Sequence, residues 1–369
     1  MKGNIKYNSN KTKVTIIGGG NIGTQFACVC ASKGYEVNLF TSKPELFDGT
    51  IEVIDEHNNT ITGVLSKVTN NLYEATENCN VIFVTHPAFK LIETAKQLLP
   101  IVKKDLCICV VPGTGGAEFA FKDCIKAGAI LCGLQRVPSV ARLEQYGKRV
   151  RCEGLRNELC VSSIPNKKSN DIAGLMSYLW EIPCKILPNY LCITLTPSNP
   201  ILHTTRLRTL FANYKVGKIY NRNPLFYGEW NNESSQLLMS CDQELQDMIK
   251  KLSKLDLSTV KSLKNHYESS TIEAMTRKLC SIKSLHNLHS PMIKVEGGWI
   301  PDFNSRYFTA DFPYGLAIIE EFAKILSFQV PNITDTLKWY RKVSGDTTCL
   351  ELRNYGINSI EDIYSMYGE

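Results

Sequence analysis

Gly18, Gly20 and Gly23 stand in the spacing G-x-G-x-x-G, which offers a cradle for a diphosphate. The first glycine allows a tight turn off a strand, the second lets phosphates reach the backbone, and the third lets a helix pack close to a sheet. Asn21 and Ile22 complete the loop; their N–H groups would open a helix whose dipole favours an anion there. The alternative is a glycine-rich turn without a ligand. The flanks favour the cradle: residues 14–17 are an apolar run suited to a buried strand, and residues 25–31 continue as an apolar helix.

The end of the strand expected at 35–40 discriminates between dinucleotides. An acid there would bind the adenosine ribose, but the chain has Thr41, Ser42 and Lys43. Two hydroxyls and an ammonium suit a 2′-phosphate, so NADP, as NADPH, is expected over NAD; the same residues could also simply begin a loop. His86-Pro87 follows an apolar strand at 81–85, and Pro112-Gly113-Thr114-Gly115-Gly116 follows another at 106–111. Ligands of open parallel sheets bind at the carboxyl ends of strands, which assigns His86 and Pro87 to the cofactor and Thr114 to the substrate. A lone loop histidine can equally be incidental. Gln135, Arg136 and Arg142 lie beyond a strand at 129–133. Guanidinium forks suit a substrate carboxylate, and solvated surface charge is the alternative. Gln135 and Arg136 are assigned to the substrate.

His203 sits about one turn inside a helix for which Asn199 is a suitable N-cap and Pro200 a suitable first residue. Arg206, three residues on, shares a nearby face and is also assigned to the substrate. On pattern alone, His203 reads either as a satisfied helix-terminus histidine or as a proton-transfer group working near neutral pH.

The elements that must position these residues change character along the chain. Residues 1–12 read as a polar leader. Strand and helix patterns then alternate, with a hairpin at 51–66 around Asn58-Asn59, helices at 72–77 and 91–99, the latter ending at Pro100, a last strand at 159–164 and a helix at 171–180. After Pro183 and Pro188 the patterns are helical: 236–252, 258–266, 272–285, 314–326, 335–343 and 360–367. The expectation is an α/β Rossmann domain with a doubly wound parallel sheet at 1–187, then a mostly α-helical domain at 188–369, with the ligand cleft between them.

Composition bounds the rest. The 369 residues are enough for two domains, and 43% hydrophobic with 21% charged content is that of a globular protein. A net charge of +6, scattered rather than clustered, is too weak to argue for nucleic acid. No apolar run has the length of a membrane span and the start lacks a hydrophobic signal core, so no membrane partner and a cytoplasmic location are expected. None of the 14 cysteines forms C-x-x-C; buried free thiols are expected, and no metal.

Residues 191–210, LCITLTPSNPILHTTRLRTL, resemble the domain-joining segment of opine dehydrogenases, the octopine/nopaline dehydrogenase family. Residues 305–316, SRYFTADFPYGL, resemble that family's R-Y-x-T-x-D-x-P-Y-G-L segment. The resemblance implies that His203 is the catalytic acid/base, that Asp311 pairs with it, and that Arg306 reaches toward cofactor or substrate. It further implies a 2-keto acid and an amino acid as substrates, joined as an imine that is then reduced, and it allows a homodimer. Some members carry a Glu-Thr pair where this chain has Gln135-Arg136-Val137-Pro138, so their substrate choice does not carry over. Two other readings compete. A ketopantoate reductase-like or glycerol-3-phosphate dehydrogenase-like ketoreductase would typically use a catalytic lysine, and no lysine here stands in such a motif. An NADP-binding sensor would need neither His203 nor Asp311.

Overall fold

The computed structural model describes residues 7, 8 and 11–368; the rest of the polar leader, residues 1–6, 9 and 10, and Glu369 lie outside the described residues. Tyr7 is buried, and its carbonyl accepts a hydrogen bond from the Tyr35 hydroxyl at 2.7 Å. That part of the leader belongs to the core. The chain forms two units that meet in sequence at Thr194 and Leu195.

In the first unit, continuous apolar runs become fully covered strands. Every residue of β6 (Val81–Val84) and β7 (Cys107–Val110) is buried, as are four of the five in β1 (Lys13–Ile17). Strands buried on both faces belong in a parallel sheet with helices on both sides. The sheet also takes in β2 (Glu36–Phe40), β5 (Lys67–Thr69), β8 (Ile130–Leu134), β11 (Leu159–Ile164) and β12 (Cys184–Ile186), while β3 (Thr50–Ile54), β4 (Thr60–Val64), β9 (Val140–Gln145) and β10 (Arg149–Glu153) form a second sheet. Its order is β12-β11-β8-β7-β6-β1-β2-β5. From β5 to β8 all pairs are parallel, and β11 runs antiparallel to β8. The chain leaves β1 for β2 on one side and later returns to lay β6 on the other. That reversal opens a crevice beyond the carboxyl ends of β1 and β6, where open α/β sheets bind ligands.

Helix α1 (Asn21–Ser32) follows β1 directly. The other helices of this unit are α2 (Leu72–Thr76), α3 (Leu91–Leu98), α4 (Ala117–Ala120), α5 (Lys122–Lys126), α6 (Ser169–Trp180) and α7 (Leu191–Thr194). Helix α3 passes into a 3₁₀ turn, Leu99–Ile101, so Pro100 lies inside a tightened last turn rather than beyond the helix. The expected hairpin is present as β3 (Thr50–Ile54) and β4 (Thr60–Val64), but it is half of that second sheet. A further hairpin, β9 (Val140–Gln145) and β10 (Arg149–Glu153), joins it in the order β4-β3-β10-β9. Arg142 is therefore a strand residue whose Nη1 donates to the Ala141 carbonyl at 3.0 Å. Cys28, Cys30, Cys107 and Cys109 are buried free thiols, and burial pushes Cys28 up to about 12. Among the described residues no cluster suits a metal ion, and no helix is long and apolar enough to cross a membrane.

The second unit is helical: α8 (Ser198–Leu210), α9 (Asn232–Ile249), α10 (Leu263–His266), α11 (Ile272–Cys280), α12 (Lys283–His286), α13 (Arg306–Thr309), α14 (Ala317–Ile325), α15 (Pro331–Ser344) and α16 (Ile360–Tyr367), with one small hairpin, β13 (Met292–Val295) and β14 (Gly298–Pro301). Helix α8 starts two residues before the expected Pro200, so Asn199 lies within its first turn and is not the N-cap. Of the helix expected at 258–266 only α10 forms. Asp256 binds the Ser258 N–H and hydroxyl, a local turn that competes with a helix, and the Ser262 hydroxyl accepts from the Asn265 N–H as the N-cap that starts α10. The helix expected at 272–285 breaks at Ser281 into α11 and α12.

Candidate active site

The carboxyl ends of β1, β2, β6, β7 and β8 all face one side of the first unit's sheet because these strands run parallel. Beyond β1 comes the glycine loop. A Cβ on Gly23 would stand 1.7 Å from the Gly18 carbonyl oxygen, so only glycine lets α1 start this close to the strand. A Cβ on Gly20 would meet nothing within 4 Å. Open space over a helix N-terminus whose first N–H groups lack helical partners is what a pyrophosphate needs. The loop thus fits a dinucleotide. Asn21 gives this site only its backbone, since its side-chain oxygen accepts from the Leu143 N–H at 2.9 Å and ties α1 to β9. Ile22 packs partly buried against the core, so it too can offer only its N–H.

His86 and Pro87 follow β6 and are half-buried. A Cβ on Gly18 would lie 3.1 Å from the His86 ring, so the histidine stands over the turn. Its Nδ1 lies 2.8 Å from the Thr94 hydroxyl. Burial, with Lys90 nearby, lowers its pKa to about 4, and it presents an uncharged ring at neutral pH. At the end of β2 the three expected contacts separate. Thr41 is 3% exposed, its hydroxyl accepts from the Lys43 N–H, and it packs where a Gly19 Cβ would go. Its side chain is buried against the glycine loop, whereas the expectation had it facing a 2′-phosphate. Ser42 and Lys43 are exposed, and the Lys43 ammonium lies 5.7 Å from the centre of the Tyr146 ring. Thr114, Gln135 and Arg136 are half-buried beyond β7 and β8; the Gln135 amide donates to the Cys192 carbonyl at 3.4 Å.

In the second unit two distant segments meet. His203 Nδ1, on α8, lies 2.8 Å from Asp311 Oδ2, just before the π-helical turn Phe312–Leu316. A carboxylate only accepts, so Nδ1 carries the hydrogen and Nε2 keeps its lone pair in the neutral ring. The two side chains are 10% and 17% exposed, which strengthens their interaction relative to a surface pair. The turn is held by Phe312 stacked on Tyr340 at 4.2 Å, and Gly315 lies against Pro200, where a Cβ would come within 3.0 Å of the ring. The N-P and P-Y-G strings of the two motifs are thus packing partners. Arg306 opens α13 and is exposed.

Two neighbours of His203 carry no sequence signal of their own. The Tyr227 hydroxyl lies 2.9 Å from Nε2, and the Tyr307 ring meets the imidazole edge-on at 4.5 Å. Tyr307 sits inside the R-Y-x-T-x-D string, which is the one clue to it. Burial first, then Tyr307, Tyr267 and Asp311, raise the Tyr227 hydroxyl well above the ordinary phenol range, against a lowering by Arg306. Arg206 departs from its expected substrate contact. It is 2% exposed, with Nε donating to the Phe226 carbonyl at 3.0 Å, Nη2 to Glu229 at 2.7 Å and to Leu225 at 3.4 Å, and Nη1 to the Ser234 hydroxyl at 3.2 Å. Burial lowers it to about 10, still charged at neutral pH. Three of its bonds fix the loop that carries Tyr227 and a fourth ties it to α9, so the side chain is committed inside the unit.

Comparison with known proteins agrees with both halves of this arrangement. Residues 186–344 match the family model of the NAD/NADP octopine/nopaline dehydrogenase alpha-helical domain, and residues 13–117 match the N-terminus of NAD-dependent glycerol-3-phosphate dehydrogenase. Octopine dehydrogenase of Pecten maximus is 25% identical over 361 residues, covering 90% of each chain. Opine dehydrogenase of Haliotis discus hannai is 24% identical, covering 97% of this chain and 100% of that enzyme. The structure of an octopine dehydrogenase with NADH and pyruvate superposes with a TM-score of 0.84 at 23% identity, over 97% of this chain and 98% of that one. The helical unit thus carries the octopine/nopaline dehydrogenase domain, and the chain is an NAD(P)-dependent dehydrogenase of the opine dehydrogenase type.

Proposed function

We propose that the chain is an NADPH-dependent opine dehydrogenase that condenses a 2-keto acid with the amine of an amino acid and reduces the resulting imine. The observation that carries this is the His203–Asp311 hydrogen bond, 2.8 Å between residues 108 apart in sequence. A dinucleotide held by its diphosphate at the glycine loop would supply the hydride from its reduced nicotinamide. The protein's own residues manage protons and position. Forming the imine requires a carbinolamine oxygen to leave as water, and His203 is the group suited to give and recover that proton near neutral pH. Asp311 holds the Nδ1–H tautomer and stabilises the imidazolium that forms when Nε2 is protonated. Arg136 and Arg306 are the candidates for the substrate carboxylates or the cofactor's phosphates, bonds worth about 1.5–3 kcal/mol each when charge-assisted.

The preference for NADPH rests on Ser42 and Lys43, exposed just past the end of β2, where a ribose-binding acid would otherwise stand. Tyr146 beneath the ammonium keeps Lys43 near that strand end. The 2-keto acid reading draws on the octopine dehydrogenase structure that holds pyruvate. The test is a screen of 2-keto acids with NADPH, each with and without an amino acid, read by NADPH oxidation and product mass. Amine-dependent oxidation with a product of the condensed mass supports the reading. Oxidation indifferent to amine makes the enzyme a plain ketoreductase, and no oxidation with any pair removes the proposal.

A further inference from the structure

Both ring nitrogens of His203 are engaged, Nδ1 by Asp311 and Nε2 by the Tyr227 hydroxyl. A proton that enters or leaves the imidazole must therefore pass through the Tyr227 oxygen or wait for that oxygen to be replaced. We propose that Tyr227 is the third member of the proton path, relaying protons between His203 Nε2 and the substrate oxygen. This rests on the opine dehydrogenase reading and goes beyond it.

The fold is built to keep the relay in place. Arg206 lies on α8 three residues after His203, and its guanidinium holds the carbonyls of Leu225, Phe226 and Glu229, on both sides of Tyr227. One rigid helix thus fixes the imidazole and the loop that presents the phenol to it. The Tyr227 ring stacks on Trp230 at 6.2 Å, which leaves the hydroxyl little freedom to swing away. A hydroxyl can accept one proton while it donates another. In the condensation, imidazolium Nε2–H passes its proton to the Tyr227 oxygen while the Tyr227 proton passes to the carbinolamine hydroxyl. The C–O bond breaks with its electron pair on the departing water, and the nitrogen lone pair closes the C=N bond. Tyr227 ends neutral and His203 ends neutral, with its hydrogen on Nδ1. No phenolate forms, so a phenol that resists ionisation is no obstacle.

Tyr227→Phe keeps the ring on Trp230 and removes one oxygen. With NADPH, a 2-keto acid and an amino acid, kcat should fall about 100-fold or more, as for other lost proton-transfer groups. The KM values and NADPH affinity should hold, because ground-state binding is untouched. In mixtures of light and heavy water the wild-type rate should curve with deuterium content, since two protons move together, and the variant should respond linearly. Wild-type kcat in the variant overturns the relay and makes Tyr227 a group that substrate displaces; a fallen kcat with the curvature retained overturns it as well. Should the wild type reduce keto acids without regard to amine, the opine reading fails alone, because the alkoxide formed there needs the same relayed proton and the comparison stands. A readout independent of turnover covers an inert enzyme: in protein labelled with ¹⁵N-histidine, the substitution should move the His203 Nε2 resonance and leave Nδ1 in place. An unmoved Nε2 overturns the proposal.

Discussion

His203→Ala should lower turnover by about 10²- to 10⁴-fold, the usual range for a positioned acid/base. NADPH affinity should stay near wild type, because the glycine loop belongs to the other unit. Asp311→Asn should lose less, since an amide oxygen can still accept from Nδ1–H although it no longer balances an imidazolium. Steady-state rates beside fluorescence titration of NADPH check both. The Asn variant losing as much as the Ala variant would mean that charge, and not ring orientation, is what Asp311 supplies. Two residues show how partner geometry overrides residue type. Thr41 and Arg206 have side chains suited to phosphate and carboxylate, yet each is committed inside the fold. Ser42, Lys43 and Arg306 keep the exposure that ligand contact requires.

At the scale of elements, the segment at 222–230 is a strap over the His203 helix, and Glu229 is its clasp. Its carboxylate takes both terminal nitrogens of Arg222 and the Leu225 N–H, and Arg222 first, then the Leu225 N–H, lower its pKa from the ordinary 4.5 to about 2. A carboxylate depressed on folding adds stability that is complete above its unfolded pKa and is lost as pH falls toward the folded one. Glu229→Gln should therefore be less stable than wild type at pH 7, with the gap in urea midpoint closing between about pH 4.5 and 2. The contact of α8 with the π-helical turn gives a second test. Gly315→Ala adds a Cβ 3.0 Å from Pro200, and such overpacking costs about 1–3 kcal/mol, readable as a lower urea midpoint together with a lower kcat. These elements were unequally legible in the sequence. The parallel strands stood out because double-sided burial demands unbroken apolar runs, and the glycine spacing stood out because backbone approach permits no side chain. The hairpin β9–β10 did not: Arg142, Glu144, Arg149 and Arg151 make it read as surface, and its charges are matched across strands, Arg149 with Glu52 and Arg151 with Glu144. Strand β2 has consecutive buried residues, so no alternation told which way Thr41 would turn. His203 and Asp311 were legible through the motifs that carry them, but Tyr227 follows from a buried arginine whose partners no spacing reveals.

For the whole molecule, cofactor binding should appear as stability. A ligand held only by the folded state adds RT ln(1 + [L]/Kd), about 2.7 kcal/mol at a hundred times Kd. NADPH should raise the melting temperature more than NADH at equal concentration, and Lys43→Ala should bring the two shifts together; equal shifts in the wild type would refute the NADPH preference. The outline of the large sheet bears on a different matter, how copies of the chain meet. Its two margins are β5 and β12, three residues each, and each has an exposed lysine, Lys67 or Lys185. So short a margin has few unpaired amides to offer a neighbour, and an ammonium resists being stitched beside its own copy. Two molecules of this chain are therefore poorly suited to extend this large sheet one into the other, and copies that met at its margins would be joined by side chains rather than by shared backbone ladders.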